Sequence, residues 1–159
     1  MAQALLEQPE PNVRASGVGM LLMVVTPVTQ TLKDSTLAMA VVDAWLYPHL
    51  VDANVVPYEH PSRLHVAIGI YDLVVATKDQ ERTAVAAALW IREAQTVGHH
   101  NKADAGRIRL AKALEAQGRI AETIRMLEEV THPSLIGARE VIPRLRAQLD
   151  QQSAPPPQK

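Results

Sequence analysis

Six histidines are the side chains of this 159-residue sequence best suited to holding a metal. A helical metal site needs ligands four residues apart on one face, as in H-E-x-x-H, and no two of these histidines have that spacing. His60 and His65 are five apart, which separates them around a helix, and Glu59 beside His60 completes no ligand set. His99 and His100 fall in a turn between helical stretches. The chain has no cysteine, so disulfides, thiol nucleophiles and thiolate metal sites are excluded. Serine and threonine are present without a G-x-S-x-G elbow. Ser16-Gly17-Val18-Gly19 offers two glycines, but Leu22 stands where the third glycine of G-x-G-x-x-G belongs and no strand precedes it.

The carboxylates divide into two groups. Glu122 with Arg125, and Arg125 with Glu129, have the spacing of surface pairs on a helix. Asp43 and Asp72 lie instead within largely apolar helical stretches. A place at the helix edge accounts for each more simply than a buried functional acid. No acid, base and nucleophile converge, so the sequence predicts a protein that is not an enzyme, with no metal and no cofactor.

Composition narrows the scaffold. Hydrophobic residues make up 47%, aromatics only 3%, and phenylalanine is absent, so the core must be built from Leu, Val, Ile and Ala. Alanine-rich faces let helices approach closely. A net charge of -1 leaves no electrostatic footprint for nucleic acid, and few aromatics leave little to stack on bases.

Residues 1–14, with Pro9 and Pro11, form a disordered arm. An uncharged run over 15–32 lies between Arg14 and Lys33. Its length is near the lower limit of about 17–25 residues for a membrane span. A core helix broken at Pro27 is the competing reading. The span is slightly preferred, which makes the protein membrane-associated through one N-terminal segment; the alternative is cytoplasmic. The domain at 33–149 then opens with a helix capped by Asp34 or Ser35 and ending near Tyr47, before Pro48. A proline-containing connector leads to Ser62.

From Ser62 the pattern is helical throughout. Leu64, Ile68, Tyr71 and Val75 make one stripe, widened by Ala67, Ile70 and Val74. After a polar turn at 77–82, Ala84, Ala87, Ile91 and Ala94 make the next, with Val85 and Leu89 beside them. Trp90 lies off that stripe and faces a neighbouring helix. A second hairpin spans 101–133, with Asn101 as cap, Asp104 in the first turn and Gly118 as the left-handed residue between its helices. Ser134 caps a final helix reaching about Leu149, kinked or restarted at Pro143. Its seam is Ile142, Leu145 and Leu149, with Arg139, Arg144 and Arg146 in water. The tail at 150–159 is disordered.

The later hairpin resembles a tetratricopeptide repeat, with signature W-x2-L-G-x2-Y, then A-x3-F and a closing proline. Leu110, Ala111 and Leu114 fall on the Leu, Gly and Tyr, Gly118 on the turn, and Leu127 on the Phe. Arg107 replaces the Trp, Thr123 the Ala, and Pro133 comes early. The resemblance implies an all-α fold of antiparallel hairpins stacked as a short solenoid, and a scaffold that binds a protein or peptide. In that family the first helix of each hairpin lines the binding face, which here points to Arg109, Lys112, Asp72 and His65. An alternative rests on organisation alone. The chain could be the C-terminal repeat tail of a bacterial membrane protein, such as a surface-polysaccharide (O-antigen) polymerase or ligase.

Overall fold

A computed structural model of the chain describes residues 62–153 and 42–46, with Ala4, Gly17, Met20, Thr36, Met39 and Ala40 placed singly in helical conformation. The protein is all-α, and no strand occurs among the described residues. A one-turn π-helix at Val42–Leu46 precedes α1 (Ser62–Val75), α2 (Gln80–Thr96), α3 (His100–Ala116) and α4 (Ile120–Glu128). A 3-10 helix at Ile136–Val141 leads into α5 (Ile142–Ser153). Each helix packs antiparallel on its neighbour in sequence, and α2 packs against both α1 and α3.

The antiparallel path follows from three evenly spaced turns. Lys78, Gly98 and Gly118 each adopt positive φ, at 61°, 72° and 75°. Each sits two or three residues past a helix end, where a left-handed residue reverses the chain. Glycine takes that conformation freely; Lys78 takes it against the preference of a side-chain-bearing residue. Local bonds hold the Lys78 turn. Thr77 Oγ1 donates to the Val74 carbonyl at 2.7 Å, and Asp79 Oδ1 accepts from the Arg82 N–H at 3.0 Å, capping α2.

Two apolar cores result. Leu64, Val66, Ala67, Ile70, Leu73 and Val74 of α1 meet Ala86, Ala87, Leu89, Trp90 and Ala94 of α2, with Ala103 and Val42 closing the ends. The second joins Ala111, Ile120, Ile124 and Leu127 to Ile142 and Leu145 of α5. The α1 stripe is broader than its spacing suggests. Val66 and Leu73 are buried, while Val75 at the last turn is exposed. Val85 is likewise exposed, although Leu89 beside it is buried. At Gly106, α2 and α3 approach so closely that an added Cβ would lie 2.8 Å from Ile91 Cγ1.

Several local expectations change. Helix α3 begins at His100, not behind Asn101, and its N-cap residue His99 makes no side-chain cap bond. Asn101 instead accepts from the Lys102 N–H. Ser134 does not cap α5; its hydroxyl meets His132 Nδ1 at 2.8 Å, and the chain passes through the 3-10 helix first. The restart is at Ile142, placing Pro143 in the first turn, where its missing N–H costs nothing. Helix α5 continues past Leu149 to Ser153. Arg139 is not in water: it is half-buried and donates to the carbonyls of Leu127 and Glu128 at the end of α4. Arg144 and Arg146 are exposed but pair with Glu115 and Glu128.

The apolar run at 15–32 lies outside the described residues except for Gly17 and Met20, as does His60. Among the described residues, no helix is long and apolar enough to cross a membrane.

Candidate binding surface

Helix α1 supplies two of the predicted site residues. His65 and Asp72 are two turns apart on one face, and both are exposed. Helix α3 supplies Arg109 and Lys112, one turn apart. Lys112 is exposed, whereas Arg109 is half-buried. Its guanidinium carbon stands 5.1 Å from the Trp90 ring and 5.8 Å from the Tyr71 ring, which is cation–π distance to both. The two rings meet edge to face, with centroids 5.5 Å apart. Arg109 is therefore not the freely solvated partner of Lys112 that its place off the apolar stripe suggests.

Three helices converge to make this arrangement. Tyr71 lies in the α1 stripe, and Trp90, buried off the α2 stripe, fills the space between α1 and α3. Gly106, one turn before Arg109, lets α3 settle against Ile91 and Trp90. The Trp90 indole N–H is buried and has no acceptor among the described residues. The two rings thus meet nearly at right angles, with the Arg109 guanidinium near both.

Arg109 shares with Arg125 and Arg139 the lack of an ion pair among the described residues, and the two rings set it apart. Arg63, Arg82, Arg92, Arg107, Arg119, Arg144 and Arg146 each pair with a carboxylate. Among the described residues Arg109 has the two rings and no carboxylate within ion-pair distance. Asp72 lies within its electrostatic reach. Burial raises the Asp72 carboxyl above its ordinary value, and Arg109 opposes that shift. The Tyr71 hydroxyl is also pushed up, first by burial, with Asp72 adding to the rise and Arg109 opposing it.

Two buried carboxylates that sequence reasoning did not single out as buried serve the scaffold. Glu93 is fully buried and accepts from Arg63 Nε at 2.8 Å and Arg92 NH2 at 2.7 Å, tying α1 to α2. Asp104, expected in the first turn of the helix, is 2% exposed. It accepts from the N–H groups of Thr131 and His132 at 2.8 and 2.7 Å and from Arg107 at 2.7 Å. Burial alone would raise the Asp104 carboxyl. Those bonds and the Arg107 charge outweigh it and hold the group below its ordinary value. Both carboxylates are satisfied by these hydrogen bonds.

Asp43 is exposed and pairs with Arg82 at 3.1 Å. A groove of about 380 Å³ runs beside that pair, between Val42 and the α1–α2 hairpin, and none of the four predicted site residues lines it. Among the described residues no three His, Asp or Glu side chains are grouped to hold a metal. Comparisons with protein-family models, with curated proteins and with solved structures return no match.

Proposed function

We propose that the protein is a short helical-repeat module that docks a protein or peptide partner through carboxylates on the face shared by α1 and α3. The observation that carries this reading is Arg109. A half-buried guanidinium within cation–π distance of two rings is restrained before a partner arrives, so binding it costs less side-chain entropy. Its N–H donors make no ion pair among the described residues, although the Asp72 carboxyl lies within electrostatic reach. Lys112, one turn away, adds a flexible second cation. Asp72 borders the same face and disfavours partners with acids along the whole segment, while His65 adds a polar group beside it.

The stacked-hairpin reading favours a tetratricopeptide-like array with a longer unit. The equivalent turns Lys78 and Gly118 both join the first helix of a hairpin to the second. Their separation exceeds the ~34 residues of a tetratricopeptide repeat.

Selection of random displayed peptides on the immobilised full chain tests the function. Recovered peptides are expected to share Asp or Glu beside an apolar anchor, and to be lost when Arg109→Gln and Lys112→Ala are combined. Recovery of peptides without acids, or equal recovery by the folded double variant, would place the contact surface elsewhere.

A further inference from the structure

Among the described residues no helix covers a second face of α2, on Glu81, Val85, Ala88 and Arg92, although Glu81 and Val85 border the groove beside Val42. All four are exposed, and Val85 is 49% exposed although it is a large apolar side chain. A groove of about 270 Å³, walled in part by Leu110, Leu114 and Met126, borders Val85 and Ala88. The four residues follow a helical stripe whose spacing is the same read from either end, with opposite charges at its ends and apolar residues at its centre.

That symmetry selects an occupant. The geometry points to a second copy of this chain, with two α2 helices crossing antiparallel about a two-fold axis between Val85 and Ala88. Val85 of each copy then lies against Ala88 of the other, and Glu81 of each faces Arg92 of the other, at both ends at once. The small Ala88 side chain permits close helix approach.

The charged ends are available for this pairing. Glu81 has no ion pair among the described residues. Arg119, which feels its charge, gives both Nε and NH2 to Glu122 at 2.7 Å. Arg92 reaches inward to Glu93 through Nε and NH2, yet its side chain is 49% exposed and its NH1 group has no partner among the described residues. A parallel pairing would bring Glu81 against Glu81 and Arg92 against Arg92, so the charges also fix the direction. One helix pair with open flanks makes a modest interface, so the dimer is weak and salt-sensitive.

Cysteine cross-linking tests this on the full chain, which has no cysteine of its own. Ala88→Cys treated with a short bismaleimide is expected to give a covalent dimer. Asp150→Cys on α5, an exposed site away from α2, is expected to give several-fold less. Adding Glu81→Arg or Val85→Asp to Ala88→Cys should lower the yield several-fold, as should raised salt, with helical circular dichroism unchanged. Cross-linking at Ala88→Cys no better than at Asp150→Cys would overturn the proposal. So would a yield that neither added substitution changes in folded protein, because the copies would then meet through another surface.

Discussion

Arg109 and Asp104 show that charged side chains can face inward for two different reasons. Arg109 is held by ring faces, and its removal costs packing as well as charge. Arg109→Ala should destabilise by about 1–2 kcal/mol, with Arg109→Lys recovering only part, since a compact, strongly hydrated ammonium packs less well against the rings. Chemical denaturation measures both. Arg109→Ala should also raise the Asp72 titration midpoint further, because Arg109 now opposes the rise caused by burial. Carboxyl-carbon NMR would register that movement.

Asp104 predicts the acid limb of stability. Its folded pKa lies below the ordinary 3.8, so its contribution is present above that value and is lost as the pH falls through the folded one. Asp104→Asn should remove that part of the acid dependence. It should also cost about 3 kcal/mol at neutral pH, because Arg107 loses its buried partner. A denaturation midpoint for Asp104→Asn that follows wild type from neutral to acid pH would contradict this role.

At the scale of elements, the α3–α4 hairpin rests on the seam of Leu114, Leu127 and Thr123. Leu114 and Leu127 are each 4% exposed, and truncating either to Ala should cost about 2–5 kcal/mol. Thr123 is fully buried, and its hydroxyl donates to the Arg119 carbonyl at 3.0 Å. Thr123→Ala removes that bond, but the Arg119 carbonyl keeps the backbone N–H of residue 123 at 3.0 Å, so about 1 kcal/mol is expected. Thermal melts of the three variants should rank in that order.

These helices were legible because each stripe repeats over several turns and Gly118 and Pro143 punctuate them. Other features lack a local signal. The Lys78 turn uses a lysine at positive φ, which no turn preference marks. The partners of Asp104 come from the far end of the hairpin, so its spacing alone resembles an ordinary first-turn acid. Trp90 could be placed off its stripe, but its meeting with Tyr71 and Arg109 depends on how α1, α2 and α3 rotate against one another. That rotation is set by close approaches such as Gly106 on Ile91, which periodicity does not encode. The predicted site residues were therefore legible as members of two helix faces, while the placement of Arg109 beside the rings was not.

At the scale of the molecule, two cores meet across α2 and α3, and α5 covers the open side of the second. The apolar surfaces of 62–153 are thus largely satisfied by one another. Deleting 1–32 should leave a cooperative helical melt, read by far-ultraviolet circular dichroism. Loss of that transition would show that the first core needs the deleted residues.

The function turns on Arg109, held beside two rings and without an ion pair among the described residues, receiving an acidic partner. NMR of the arginine side-chain Nε–H groups tests it most directly, with Arg109→Lys assigning the resonance. In the free full chain, ring currents should set the Arg109 signal apart from those of exposed arginines. Titration with an Asp- and Glu-containing peptide recovered by display should move it saturably, while a Lys-rich peptide should not. A signal at the position of a solvated arginine, unmoved by the acidic peptide, would contradict both the ring contact and the binding role built on it.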